Sequence, residues 1–295
     1  MRWTPGGSSS DVEDRRGQGG GGFGGGGGMR MGLGGFVVLL ILSVVFKRDF
    51  FSLVGGGAPV DGPTATAGPV QTTAEENERE QFVTFVLNDT QDTWTKLLAD
   101  RGQQYERAKL VLFRDATQTA CGLGQAAAGP FYCPGDNRVY IDLGFYDELR
   151  DRFGAAGDFA QAYVIAHELG HHVQRLLGTE TQVRRLQQQR PSQANDLSVK
   201  MELQADCYAG VWGHSTAQRN ILEQGDVEEG LNAAAAVGDD RIQAGSGGGV
   251  HPESFTHGSA AQRSKCSVWE NLLSPRSNTL RKPPAKQVRR ARSTL

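Results

Sequence analysis

The segment HELGH, residues 167–171, carries two histidines and a glutamate whose types and spacing could support metal chemistry. On an α-helix, His167 and His171 are four residues apart and lie on one face, close enough to bind one ion. Glu168 is rotated by about 100° from His167, so it flanks the ion rather than binding it. A carboxylate in that place can take a proton from an attacking water. The pattern predicts a hydrolytic metal site, although so short a pattern also arises by chance.

A third ligand must come from elsewhere in the chain, and residues 199–212, VKMELQADCYAGVW, supply two carboxylates. Glu202 and Asp206 are four residues apart on a predicted helix with apolar neighbours, so both need partners. We predict that Glu202 is the third ligand and that Asp206 accepts the second ring N–H of a ligand histidine. Two histidines and one glutamate leave a fourth position open, which is typical of catalytic zinc sites, so Zn²⁺ is the expected cofactor. A solvated acidic pair is the alternative.

Three further side chains are candidates for stabilising the oxyanion that forms during hydrolysis. His214, His257 and Tyr208 could each reach over the site and donate a hydrogen bond to the developing charge. For each of them an ordinary structural role is the favoured alternative. The sequence alone does not decide between the three.

The elements that must position these residues follow from the hydrophobic periodicity. Residues 158–177 give the clearest helix, because FAQAYVIAHEL is apolar on nearly every side, and Asp158 is its predicted N-cap. Mostly helical elements around a small sheet indicate the α+β class. Further helices are predicted over 75–101, 180–190, 196–213 and 226–243, and strands over 108–113 and 138–145.

Composition divides the 295 residues into five regions. The uncharged run GLGGFVVLLILSVVF is slightly short for a bilayer span, but Arg30 and Lys47 can extend it by snorkelling. We predict a single transmembrane helix, with a cleaved signal peptide as the alternative. The predicted regions are a disordered glycine-rich tail (1–30), the transmembrane anchor (31–54), a flexible linker (55–75), a globular domain (76–263) and a disordered basic tail (264–295).

The basic residues and the cysteines bear on the compartment. Slightly more arginine precedes the anchor than follows it, which predicts a cytoplasmic amino terminus and a domain on the extracytoplasmic, periplasmic side of the inner membrane. Cys121 and Cys133 flank a short Gly/Ala/Pro loop and are predicted to form a disulfide there, with two buried thiols as the alternative. The net charge of −2 gives no argument for a nucleic-acid partner.

Two segments carry a family resemblance. AHELGHHVQ and MELQADCYAGVWGH resemble the bacterial neutral zinc metallopeptidase family, and stretches such as DVEDRR and VYIDLGFYDEL extend the likeness from residue 1 to about Arg263. The resemblance implies a membrane-anchored enzyme with a zincin-like domain and a gluzincin-like third ligand, which maps to Glu202. The sequence departs from the family pattern after Arg263, so the partner of Cys207 stays open unless Cys266 takes that place.

Together these features predict a zinc metalloendopeptidase that hydrolyses peptide bonds with Glu168 as general base. An extended peptide or protein substrate is expected to pair with an edge strand, for which RVYIDL, residues 138–143, is the candidate. The alternative is a non-catalytic, zinc-stabilised scaffold tethered to the membrane. A purely structural site would not need Glu168, which favours the enzyme. Nothing in the sequence selects a particular substrate side chain.

Overall fold

The structure, a computed structural model, describes residues 1–5, 7–17, 72–126, 129–247 and 249–266. Helices predominate around a small sheet, so the α+β class is confirmed. The strands are β1 (Val12–Asp14), β2 (Lys109–Phe113), β3 (Ala116–Thr119), β4 (Gly122–Gln125), β5 (Phe131–Cys133) and β6 (Arg138–Asp142). The helices are α1 (Ala74–Ala99), α2 (Phe145–Asp151), α3 (Asp158–Leu176), α4 (Thr179–Gln189), α5 (Ala194–Gln218), α6 (Asp226–Ala236), α7 (Asp239–Gly245) and α8 (Ala260–Arg263).

The main sheet has the strand order β1-β2-β6-β5. Strands β1, β2 and β6 run parallel, whereas β5 is antiparallel to β6, and β3 and β4 form a separate two-stranded ribbon. The prediction that residues 138–143 form an edge strand is therefore wrong, because β6 is hydrogen-bonded on both sides. The edge strand on that side of the sheet is β5, and its three residues are too few to show the alternation that identifies a strand from sequence.

Most predicted helices are confirmed to within a few residues, but the predicted helix over 226–243 is two helices. The break falls at Gly238, whose backbone is extended between α6 and α7. A Cβ at Gly238 would lie only 2.3 Å from the backbone nitrogen of Ala260, so α8 packs directly against this point. Close approach of another backbone is a common reason for a glycine at a break. Periodicity within one segment cannot reveal such a contact.

The start of α3 also differs from the prediction, because its N-cap is Gly157 and not Asp158. Gly157 has φ +121°, a conformation that strains other residues, and a Cβ there would collide with the carboxylate of Glu229. The Glu229 carboxylate accepts the Phe159 N–H at 3.2 Å and so satisfies one of the free donors at the helix start. Asp158 instead accepts hydrogen bonds from the amino group of Met1 at 2.7 and 2.8 Å.

The amino-terminal residues belong to the folded domain. Strand β1 pairs with β2, Trp3 packs edge-on against Phe82 at 5.2 Å, and the buried Arg16 binds Asp14 at 2.7 Å. The prediction of a disordered tail is therefore wrong for the described part of residues 1–17. The sequence of β1, Val-Glu-Asp, has no hydrophobic alternation that would have indicated a strand.

The predicted membrane anchor, residues 31–54, lies outside the described residues. None of the described helices combines the length and apolarity needed to span a bilayer. The single-pass anchor therefore stays a prediction.

Two disulfides tie the domain together. Cys121 is bonded to Cys133, and Cys207 on α5 is bonded to Cys266, which follows α8. The Cys266 side chain is only 4% exposed and packs in the main core. The prediction that the disordered tail begins at residue 264 is therefore wrong for residues 264–266.

The sheet makes the topology testable with two exposed positions, Arg2 and Glu253, whose side chains are 69% and 76% exposed. Single Arg2→Cys and Glu253→Cys variants in cells should react with a membrane-impermeant maleimide from the same side, because β1 and β2 share one sheet. Detergent-solubilised protein serves as the control in which both variants react. Labelling from opposite sides would contradict the structure.

The second disulfide predicts a sharp boundary for truncation. A chain ending at residue 263 loses Cys266 and should unfold more easily than one ending at residue 266, by up to about 4 kcal/mol for a loop of this length. Denaturant unfolding of both chains under oxidising conditions measures the difference. The full chain is the reference, and equal midpoints for the two truncations would show that the bridge contributes nothing.

Candidate metal centre

Close packing of α3 against α5 brings the predicted site residues together. Gly170 makes the approach possible, because a Cβ there would lie 3.0 Å from the backbone oxygen of Ala205 and 3.1 Å from its Cα. At these distances a side chain at residue 170 would push the helices apart. The glycine in the middle of HELGH therefore sets the separation across which the two histidines face the carboxylates of α5.

His167, His171 and Glu202 place one potential ligand atom each within 4.8 Å of one another. The Nε2 atom of His167 is 3.2 Å from Oε2 of Glu202, and that of His171 is 3.4 Å from Oε1. When nitrogen and oxygen ligands surround zinc tetrahedrally at about 2.0–2.1 Å, the ligand atoms lie about 3.3 Å from one another. The residues present therefore fit a zinc ion in both donor type and spacing.

The remaining ring nitrogens of both histidines have acceptors that fix the imidazoles. His167 Nδ1 donates to Asp206 Oδ1 at 2.8 Å, and His171 Nδ1 donates to Gln174 Oε1 at 2.9 Å. In this arrangement both Nε2 lone pairs point towards Glu202, the orientation that a metal needs. Asp206 thus occupies the place that the sequence predicts. Gln174 was missed, although its position three residues after His171 puts it on the same helix face.

Asp206 is the most enclosed charged group of the centre, with 1% of its surface exposed. Arg263 reaches both of its oxygens, from Nη2 to Oδ1 at 2.8 Å and from Nε to Oδ2 at 3.0 Å. The hydroxyl of Tyr163, one helical turn before His167, also donates to Oδ1. No pattern in the sequence points to Arg263, which lies 57 residues from Asp206 and belongs to no motif of its own.

The pKa values reflect the close pairing of imidazoles and carboxylates at the centre. Burial lowers the pKa of His167, but Asp206 and Glu202 outweigh it and raise the value to about 10. Burial alone would raise the pKa of Glu202, yet His171 and His167 hold it well below its usual range. Burial raises the pKa of Glu168, which faces the imidazoles without belonging to the three-atom cluster. An environment that stabilises positive charge on buried imidazoles also favours a bound cation.

A cavity of about 550 Å³ opens onto the centre, and Glu168 and His257 both line it. Asp239 holds His257 through its Nδ1 atom at 3.0 Å, which leaves Nε2 available. Of the other predicted oxyanion donors, neither His214 nor Tyr208 is among the described residues that line this cavity. Tyr208 packs edge-on against Trp94 at 5.1 Å, and His214 contacts Gln218 on α5. These contacts lie away from the cavity and do not support the predicted role.

Edge strand β5 forms one wall of the cavity through Phe131 and Tyr132. The Tyr132 hydroxyl lies 2.9 Å from Nδ1 of His172, while the other ring nitrogen of His172 donates to the Glu106 carbonyl at 2.6 Å. His172 is fully buried, and its hydrogen bond with Tyr132 links α3 to β5.

A cluster of two imidazoles and one carboxylate at a cavity, with a further glutamate beside it on the cavity wall, is the arrangement of a catalytic zinc site. The sequence matches the family described as "Putative neutral zinc metallopeptidase" over residues 1–269, and the chain belongs to that family. Membership implies Zn²⁺ as the cofactor and a peptidase at a coarse level.

Similar proteins occur in distant bacteria. The chain is 50% identical over 268 residues to "Uncharacterized protein YpfJ" of Escherichia coli, which covers 89% of this chain and 92% of that protein. It is 44% identical over 189 residues to an uncharacterized protein of Mycobacterium tuberculosis, covering 60% of this chain and 62% of that protein. No solved structure matches the chain.

The geometry ranks the acidic residues by their effect on zinc binding. Glu202→Ala should reduce zinc affinity most, because it removes a ligand, and Asp206→Ala should reduce it about 10–100-fold. The exposed Glu228 on α6 is the matched control, and Glu228→Ala should bind zinc like the unaltered protein. Competition with a chromophoric chelator measures each affinity. Unchanged affinity in Glu202→Ala would remove Glu202 from the site.

Proposed function

We propose that the protein is a zinc-dependent endopeptidase with a zincin-like domain, in which His167, His171 and Glu202 hold the metal. The observation that carries this proposal is the position of Glu168, which faces the ligand imidazoles at the cavity wall but is not itself part of the ligand cluster. A zinc ion held by these two imidazoles and one carboxylate would have a position left for water or substrate and would supply Lewis-acid polarisation there.

Glu168 has the environment of a group that takes up and returns a proton. It is 8% exposed, and burial raises its pKa, so its carboxylate accepts a proton more readily than a solvated one. In the proposed reaction Glu168 removes a proton from the attacking water and then delivers it to the leaving amine. A purely structural metal site has no need of such a group.

His257 is the proposed donor to the oxyanion. Asp239 accepts from His257 Nδ1 and also receives the backbone N–H groups of Thr256 and His257, both at 2.7 Å. These bonds fix the imidazole at the cavity wall, and the hydrogen bond to Asp239 raises the pKa of His257, which favours the doubly protonated ring with a donor at Nε2. Donors fixed before the charge develops are the most effective in stabilising it.

The substrate is proposed to be an extended peptide that pairs with β5. This strand ends the sheet on the side of α3, and Phe131 and Tyr132 line the cavity. Edge strands bind extended peptides through their free backbone groups. The cavity also reaches from Glu148 on α2 to Gln187 on α4, so a chain can continue on both sides of the cleaved bond. This reach supports cleavage within a peptide rather than at its end.

We also propose an extracytoplasmic location, supported by the two disulfides, because such bonds persist in oxidising compartments. Membrane attachment through residues 31–54 remains part of the proposal.

Glu168→Gln tests catalysis separately from folding and metal binding. The variant should bind zinc and keep the fold, because a glutamine side chain has nearly the same shape as a glutamate, but turnover should fall by at least about 10²–10⁴-fold. Cleaved protein termini compared between cells carrying the two forms would reveal the substrates. Glu253→Gln, an exposed change, is the control. Identical termini in all three would favour a zinc-stabilised scaffold without activity.

A further inference from the structure

Arg263 is a buried cation at the end of the described domain. It lies on the single-turn helix α8, and its side chain is only 4% exposed. Burying a guanidinium is costly unless acceptors replace its lost water. Arg263 has such acceptors in both oxygens of Asp206 and in the backbone carbonyl of Val237, at 3.3 Å. A fork contact to both carboxylate oxygens fixes the plane of the carboxylate as well as its position.

The contacts show how Arg263 can influence the metal centre without binding the metal. Its Nη2 atom lies 3.3 Å from His167 Nδ1 and 4.0 Å from Glu202 Oε2. The His167 Nδ1–H group and Arg263 are both donors, and both are directed at Asp206 Oδ1. They therefore do not bond to each other. The carboxylate that they share is therefore the hydrogen-bonded route by which Arg263 can affect the orientation of His167.

Helix α8 is fixed on both sides of Arg263. Ser259 and Gln262 form a capping box at its start, and the Ala260 N–H donates to Asp240 Oδ1 at 2.7 Å. Three residues beyond Arg263, the disulfide from Cys266 reaches α5, the helix that carries Glu202 and Asp206. The guanidinium is therefore delivered to Asp206 by a segment with its own attachments, and it is not left to a mobile chain end.

We propose that Arg263 is a positioning residue of the metal centre, which locks the Asp206 carboxylate in the orientation that directs the His167 imidazole at the metal. This inference rests on the proposed assignment of His167 as a zinc ligand. Arg263 also lines the cavity, so a direct contact with the substrate is the competing role. The two roles differ in what the loss of Arg263 changes, namely metal affinity in the first and the Michaelis constant alone in the second.

A double-mutant cycle on zinc affinity distinguishes these roles. Asp206→Asn, Arg263→Gln and the double variant are compared with the unaltered full-length protein by chelator competition, which needs no substrate. Each single variant should lower zinc affinity by about 10–100-fold. Because Arg263 acts through Asp206, the double variant should be no weaker than the weaker single variant. The inference would be overturned if the double variant lost zinc affinity by the product of the two single losses. Unchanged zinc affinity in Arg263→Gln would also overturn it.

Two additional variants guard against a trivial loss of structure. Arg263→Lys keeps the charge but not the planar fork, so it should recover part of the affinity lost in Arg263→Gln. Arg241, an exposed arginine on α7, is the matched control, and Arg241→Gln should bind zinc normally. If circular dichroism shows that Arg263→Gln is unfolded, Arg263→Lys becomes the deciding variant. A zinc affinity of Arg263→Lys equal to that of the unaltered protein would then reject the positioning role of Arg263. If the unaltered protein itself binds no zinc, the proposed function fails first.

Discussion

The interaction on which the rest of the structure depends is the charge balance of the buried centre between α3 and α5. Glu168, Glu202 and Asp206 bring three carboxylates together, and Arg263 contributes one compensating guanidinium. Two negative charges remain when all four groups are ionised, which a divalent cation balances. Isolated buried charges are strongly unfavourable, so a carboxylate group of this kind persists only with matched partners. Burial lowers the pKa of His167, but the neighbouring carboxylates of Asp206 and Glu202 raise it to about 10.

Geometry at this centre follows from the close approach of the two helices. Gly170 allows α3 to touch the backbone of α5, and the near-continuous apolar surface of α3 makes it the buried middle of the domain. Residues supported by a packed helix keep their rotamers, and supporting hydrogen bonds then define the direction of each imidazole. The same helix reaches β5 through His172 and Tyr132. One rigid element therefore positions the ligands, Glu168 and the proposed substrate strand.

The sequence predicted the parts of the site that depend on spacing within one helix. His167, Glu168 and His171, and likewise Glu202 and Asp206, follow from the helical repeat. Groups that come from distant segments could not be found in this way, because neither Arg263 on α8 nor Asp239 on α7 forms a local pattern with the residue it supports. The choice of β6 as the edge strand failed for a related reason. Its regular alternation identifies a strand, but strand order depends on pairing partners that alternation does not specify.

The amino-terminal segment was misjudged for the opposite reason, because composition was given more weight than pairing. Glycine-rich surroundings and the polar strand Val12–Asp14 suggested a solvated tail, yet β1 covers the edge of β2, in which Leu110 and Leu112 are fully buried. Removing β1 would leave these backbone groups unpaired and uncover the packing of Trp3 on α1. Strand β2 also pairs with β6, which pairs with β5 at the cavity wall. The described part of residues 1–17 and the metal centre therefore belong to one packed unit.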